Sequence, residues 1–270
     1  MGKISDALER QQNEKAIKSK MLQPISSPAP ETLIGNTFSP KLVTCSAPGS
    51  IEAENFKFLK GQILFNKKGP PPRTIMITSA LPGEGKSFIA ANLAACFAQG
   101  INEYALAIDC DFRSPSLHKM FGYSNLEGLQ EYLKGRKILP DLLIQTKVDK
   151  LSLLTAGSSA SNASELISSA MVKELFEELK TRYHDRYIII DTAPSHVMAE
   201  VNILANYVDG VIFVVMAGKA PRDIIHKCIE NIGKEKILGI VFNGYDKPNK
   251  TYARYYKKYY NEKDNPGVGW

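Results

Sequence analysis

Apolar and polar positions change rhythm partway along the chain. From Arg73 onward, apolar runs of strand length alternate with longer amphipathic stretches. The runs cover residues 74–79, 104–109, 151–155, 187–191, 208–215 and 237–242. Between them, the spacing predicts helices over residues 86–99, 126–134, 164–183 and 221–233. Tyr187-Ile188-Ile189-Ile190 is apolar on both pleats, as a parallel strand covered on two faces must be. Strands and helices alternating in this way predict an α/β fold: a three-layer, doubly wound, mostly parallel sheet. Ligands of such a sheet bind beyond the carboxyl ends of its strands, so candidate chemistry is sought there. No internal repeat is visible.

The flanks read differently. Residues 3–21 predict a short charged helix with Ile4, Ala7 and Leu8 on one face, a docking element or a frayed tail rather than core. Residues 23–36, with Pro24, Pro28 and Pro30, read as a linker. Another helix is predicted over residues 50–65, with Phe56, Leu59, Ile63 and Leu64 as its apolar positions. After Gly244 the aliphatic residues nearly vanish. The expected organisation is therefore an N-terminal helix and linker over 1–49, a catalytic domain over 50–244, and a tail over 245–270.

Composition narrows the class only a little. With 270 residues, 44% of them hydrophobic, the chain is long enough for one sizeable α/β core. Cys45, Cys96, Cys110 and Cys228 form no CxxC pair, which argues against zinc or thioredoxin-type chemistry and for a reducing cytosol. The N-terminus has no apolar signal core, and Asp6 breaks the myristoylation pattern. No apolar run approaches the ~20 residues that span a bilayer, so a membrane role is expected to come through a partner.

Three strand ends carry chemistry. The first reads Thr78-Ser79-Ala80-Leu81-Pro82-Gly83-Glu84-Gly85-Lys86-Ser87 and opens a helix. It is a phosphate loop in which Ala80 replaces the first glycine of G-x-x-x-x-G-K-[ST]. Gly83 and Gly85 let backbone N–H groups face a phosphate, and the helix start adds its positive dipole end. Lys86 reaches the β and γ phosphates, and the Ser87 hydroxyl ligates Mg²⁺. Around these, Pro82, Glu84 and Phe88 complete the expected nucleotide-binding stretch, with Arg113 and Asn243 at later strand ends. The second strand end, Asp109-Cys110-Asp111-Phe112-Arg113, aims two carboxylates at one side of an extended segment. They would repel unless a cation sits between them, and a nucleotide-bound Mg²⁺ is the natural one. The third, Ile190-Asp191-Thr192, is a Walker B pattern whose carboxylate holds Mg²⁺ directly or through water. Lys86, Asp109, Asp111 and Asp191 are the expected catalytic group, with Ser87, Asp111 and Asp191 toward the metal.

The net charge of +6 matters because of where it lies. Half of the chain's 12 tyrosines (Tyr245, Tyr252, Tyr255, Tyr256, Tyr259 and Tyr260) stand in the tail, interleaved with Lys247, Lys250, Arg254, Lys257 and Lys258. Such a segment fits nucleic-acid stacking, an anionic membrane surface, or phosphoryl acceptors for the chain's own active site. Phosphorylation would add ~1.5 to 2 negative charges per ring, enough to reverse the tail's sign.

Taken together, these motifs resemble the bacterial P-loop tyrosine kinases of capsule and exopolysaccharide operons. The likeness covers roughly residues 50–260. The family's S-x-x-P-G-E-G-K-S/T loop matches Ser79 and Pro82 through Ser87. Its D-x-D-x-R-x-P motif matches Asp109, Asp111, Arg113 and Pro115, and its Walker B Asp-Thr-x-Pro matches Asp191, Thr192 and Pro194. The resemblance implies a P-loop NTPase fold of the deviant-Walker, MinD- and ParA-like type. It implies ATP and Mg²⁺ as cofactors, Asp109 as the base toward tyrosine, and autophosphorylation of the tail, partly between subunits. It also implies a homo-oligomer, possibly a ring, and a membrane polysaccharide co-polymerase whose cytoplasmic tail activates the kinase. A cognate phosphotyrosine phosphatase and a cytoplasmic location at the inner face of the membrane follow, and no nucleic acid is expected. Glu54, Lys57 and Lys60 occupy the family's E-x-x-R-x-x-R oligomerisation motif, with lysines lacking the bidentate fork of arginine. Two further departures are Ala163 for proline in the N-P-x-E-L-L segment and Glu200 where the family often has Asp. The rival is a partition or positioning ATPase without kinase activity. Such proteins typically carry a signature lysine early in the loop, and this chain has none between Ala80 and Gly85.

Overall fold

The computed structural model describes residues 38–65, 69–158, 163–196 and 198–245. The expected helix over 3–21, the linker over 23–36, and Tyr252, Tyr255, Tyr256, Tyr259 and Tyr260 lie outside the described residues. In chain order the helices are α1 (Val43–Ser46), α2 (Ile51–Leu64), α3 (Lys86–Ala98), α4 (Leu117–Met120), α5 (Leu129–Leu133), α6 (Leu139–Leu142), α7 (Ala163–Ile167), α8 (Ala170–Arg182), α9 (Ala199–Ala205) and α10 (Arg222–Ile232). The strands are β1 (Thr74–Ser79), β2 (Tyr104–Asp109), β3 (Ile144–Gln145), β4 (Leu151–Leu154), β5 (Arg186–Asp191), β6 (Gly210–Met216) and β7 (Ile237–Asn243).

All seven strands join one sheet in the order β3-β4-β2-β5-β1-β6-β7. Every pairing is parallel except β3 with β4. Alternate residues of one strand serve opposite cores, as the two-residue period requires. Met76, Ile188, Ile190 and Phe213 pack with Leu129, Phe176 and Leu204 on one face. Ile75, Ile77, Ile189 and Ile212 pack with Phe56, Leu93 and Phe97 on the other. The three layers expected from the sequence are present. α3 is buried on nearly every side, and its alanines (Ala90, Ala91, Ala94, Ala95 and Ala98) let it fit between the sheet and α2. Among the described residues no helix is long and apolar enough to cross a membrane.

Several boundaries differ from expectation for identifiable reasons. The packed structure begins ahead of Ser50, because Leu42 is fully buried and Thr44 is pinned to α3. The single helix expected over 164–183 is two, α7 and α8. At the break, Ser168 Oγ donates to Ser164 O and Ser169 Oγ to Leu166 O, each at 2.7 Å. Serines that bond local carbonyls compete with helix continuation. The helix expected from Leu126 starts at Leu129, where the Gly128 N–H donates to Glu131 Oε2 at 2.7 Å. The short strand β3 and the helices α1, α4, α6 and α9 gave no periodic signal long enough to read.

Asn92 is the clearest single tie in this frame. Fully buried on α3, its Oδ1 accepts from the Thr44 N–H (3.0 Å) and from Thr44 Oγ1 (3.1 Å). Its Nδ2 donates to Lys41 O and Phe88 O, both at 2.9 Å. Asn92→Ala strands several buried polar groups, each costing ~1–3 kcal/mol when unsatisfied. The expected loss is about 2–4 kcal/mol, read as a lower urea midpoint with unchanged slope. A loss below ~0.5 kcal/mol would contradict this account of how residues 38–49 are held.

Candidate active site

Beyond β1 the chain turns through residues 80–85 and enters α3, whose N-cap Gly85 has φ 94°. Gly83 has φ 70°, and both lie in the left-handed region that favours glycine. At Gly85 a Cβ would also collide with the Asn243 side chain. Shape and conformation therefore both require glycine there.

Two polar side chains, one fully buried and one partly buried, brace this loop from below. Glu84 is fully buried; its carboxylate accepts from the Leu81 N–H (2.6 Å) and from the Met216 N–H at the end of β6 (3.1 Å). Asn243, ending β7, donates from Nδ2 to Glu84 O and accepts from the Gly244 N–H, each at 2.9 Å. Both were expected among the nucleotide-binding residues. Their side chains are instead occupied in tying the loop to two neighbouring strands. Phe88 is likewise a packing residue, its ring edge-on to Phe56 at 5.6 Å between α2 and α3. Pro82 sits at the exposed apex. The spacing of motif residues identified the stretch, but which side chains face inward depends on β6 and β7.

Lys86 and Ser87 start α3, and Lys86 is 7% exposed. β5 lies between β1 and β2, so Asp109 and Asp191 become register partners on adjacent strands. Asp109 is fully buried: Oδ1 accepts from the Asp111 N–H, and Oδ2 from the Ser116 and Leu117 N–H groups, each at 3.0 Å. Burial pushes its carboxyl up to about 7 against those bonds. With both oxygens engaged in backbone, Asp109 organises the loop after β2 and is poorly placed to serve as the base expected of it. Asp111 Oδ1 accepts from the N–H groups of Arg113 (3.3 Å) and Ser114 (3.0 Å). Asp191 is the reverse: fully buried, with neither oxygen hydrogen-bonded. Burial first, and then the Asp109 charge, push it well above the ordinary carboxylate range, with Ser87 and Lys86 opposing.

Ser116, which no motif singled out, closes the group by donating from its Oγ to Ser87 Oγ at 2.8 Å. Arg113 is paired within the chain. Its Nη2 pairs with Glu200 Oε1 at 3.2 Å, and Ser164 Oγ donates to the same oxygen at 2.7 Å. Glu200, where the chain departs from the family pattern, and Ser164, next to the departure at Ala163, are thus joined in holding Arg113. On α2, Glu54 pairs with Lys57. Lys60 turns inward to Cys96 O (3.4 Å) and Phe97 O (3.5 Å), the last turn of α3, and lies 5.5 Å from the Phe97 ring centre. All three expected oligomerisation residues thus have partners within the chain. Tyr245, 58% exposed, follows β7 and leans on Phe242 at 5.6 Å.

An unpartnered, fully buried carboxylate is costly unless a cation meets it. Asp191, Asp111 and the Ser87 hydroxyl form an all-oxygen donor set suited to Mg²⁺, which usually keeps several waters and takes substrate phosphates as its remaining ligands. Among the described residues no three His, Cys, Asp or Glu side chains group closely enough to hold a metal alone.

The family model described as "ParA: NUBPL iron-transfer P-loop NTPase" matches residues 72–256. Tyrosine-protein kinase YwqD of Bacillus subtilis is 34% identical over 86% of this chain and 95% of its own. The putative tyrosine-protein kinase CapB of Staphylococcus aureus is 32% identical over 82% of this chain and 96% of its own. Among solved structures, the chimerical protein CapA2B2 superposes with a TM-score of 0.71 at 31% identity, covering 87% of this chain and all of that one.

Asp191→Asn tests the charge argument in two directions. Because burial favours the protonated form, Asp191 costs native stability as pH rises through its raised pKa, and asparagine removes that cost. The nucleotide-free variant is expected to melt no lower than the wild type at pH 7.5. Wild-type protein at 100-fold excess of Mg-ADP over Kd gains ~2.7 kcal/mol, and the variant should lose most of that gain. A variant that melts several degrees lower while keeping the nucleotide effect would refute the assignment.

Proposed function

The chain belongs to the bacterial P-loop tyrosine-protein kinases of capsule and exopolysaccharide synthesis, and we propose that it transfers the γ-phosphoryl group of ATP to tyrosines of its own C-terminal cluster. The observation that carries this reading is one end of one sheet. There the glycine-bent loop, Lys86, and an unpartnered Asp191 meet the strand from which Tyr245 leads into the tyrosine-rich tail. Gly83 to Ser87 present backbone N–H groups and a helix start to the phosphates, and Lys86 adds a point charge. Mg²⁺, when bound, would neutralise the phosphates and would be held by Ser87 and Asp191, with Asp111 toward its water shell, which leaves that carboxylate's second oxygen to the tyrosine.

The division of labour among the carboxylates differs from the one the motifs imply. Asp109 holds the loop after β2 through three backbone bonds. Asp111, with one oxygen outside any hydrogen bond among the described residues, is the better placed to take a proton from tyrosine. A phenol of pKa near 10 benefits from such an acceptor, though placement in line and charge neutralisation dominate phosphoryl transfer. Arg113, held by Glu200, positions the loop rather than the phosphates.

The relatives favour the kinase over the partition-ATPase reading, and so does Leu81 where those ATPases carry a signature lysine. We assign Tyr245, Tyr252, Tyr255, Tyr256, Tyr259 and Tyr260 as acceptors. The catalytic domain acts with a helix and linker before it and the acceptor tail after it. Its partners are a membrane polysaccharide co-polymerase that activates it and places it at the inner membrane face, further copies of itself, and a phosphotyrosine phosphatase.

Incubated with Mg-ATP and the activating tail, the full chain should carry phosphate on the cluster by mass spectrometry. Lys86→Met should reduce this on the order of 10²-fold or more, and replacing the six tyrosines with Phe should remove most of it. ATP hydrolysis without any phosphotyrosine, even with the partner present, would hand the site to the positioning ATPase. Asp111→Asn should lower transfer with a changed pH profile, whereas Asp109→Asn should chiefly lower stability; a reversed pattern would restore Asp109 as the base.

A further inference from the structure

The loop after β6 brings a second lysine to the phosphate site. It turns through Met216, Ala217 and Gly218, which has φ 72°, to Lys219, whose N–H donates to Met216 O at 3.2 Å. The Lys219 ammonium lies 2.7 Å from where a Cβ on Gly83 would stand, beside the apex of the phosphate loop. Lys219 is exposed, but the turn that carries it is tied to the phosphate loop. The Glu84 carboxylate holds the Leu81 and Met216 N–H groups together, and the Ala217 N–H donates to Asn243 O at 2.9 Å. The phosphate loop and the Lys219 turn are therefore two ends of one buried brace. Among the described residues no carboxylate lies within ion-pair distance of Lys219.

The charge balance of the site gives that ammonium a task. Asp109, Asp111 and Asp191 place three acidic groups at adjoining strand ends, and a magnesium nucleoside triphosphate adds about two more negative charges. The loop itself contributes one lysine, Lys86, and the nearby Arg113 is already paired with Glu200. We propose that Lys219 is a nucleotide-binding residue, closing over the phosphates from the β6–α10 turn as a second cation supplied by the same chain. The proposal rests on the phosphate-loop reading above. It also gives the absent loop lysine a physical counterpart: the positive charge comes from a different strand end rather than from position 81.

The test uses full-length protein as wild type, Lys219→Ala, Lys219→Arg and Lys86→Met. Calorimetric titration with Mg²⁺ and a non-hydrolysable ATP analogue is run at two salt concentrations, beside melting curves without nucleotide. Lys219→Ala should bind the analogue roughly tenfold or more weakly, the range of one charge-assisted contact. Its affinity should fall less steeply with salt than that of the wild type, Lys219→Arg should keep most of the affinity, and the nucleotide-free melting temperature should not move. Affinity within twofold of wild type for Lys219→Ala overturns the proposal. So does a loss that arginine does not rescue and that leaves the salt dependence unchanged. Lys86→Met separates the two readings: if it too binds like wild type, the phosphate-loop assignment itself has failed.

Discussion

Buried negative charge sets the terms for this structure. Two aspartates end adjacent strands in register, both without solvent access, and a third stands two residues on. In low dielectric such groups repel and lose hydration, so each must be offset locally. The chain offsets them unequally. Asp109 is surrounded by backbone N–H groups, Asp111 is half satisfied, and Asp191 is left open. The satisfied carboxylate shapes the loop after β2, and the unsatisfied one keeps the full cost of its burial. A cation that met Asp191 would remove that cost and so stabilise the sheet's carboxyl edge.

The same edge shows how a loop of small residues is kept rigid. A phosphate loop has little side chain of its own to pack, so its shape must come from neighbours. Here Glu84 and Asn243 join it to the ends of β6 and β7, and α3 behind it is gripped by α2 and residues 38–49 through Asn92. Glu84 is the case in which a motif residue's identity matters for a reason other than ligand contact. A carboxylate in this loop would repel a phosphate if it faced one, but Glu84 is buried beneath the loop and faces two N–H donors.

Helix α2 carries a comparable lesson about surfaces. A lysine at the end of a family motif reads as an outward contact, yet Lys60 lays its stem along Phe97 and offers its ammonium to the carbonyls that end α3. Cations are favoured at helix C-termini, where carbonyls lack intrahelical partners. On α2, the last lysine of the motif is thus spent inside the chain rather than on its surface.

Local pattern was enough to determine the α/β class, the strand–loop–helix around Gly83–Ser87, and the three acid-bearing strand ends. Hydrophobic period, glycine placement and charge at a strand terminus are each written within a dozen residues. The placement of β5 between β1 and β2 was not so written, and it alone makes Asp109 and Asp191 neighbours. Nor were the facing of Glu84, the hydroxyl of Ser116 against Ser87, the Arg113–Glu200–Ser164 link, or the arrival of Lys219 at Gly83. These join residues separated by tens of positions. Chain order says nothing about strand order, so only packing the sheet decides which distant groups share one buried space.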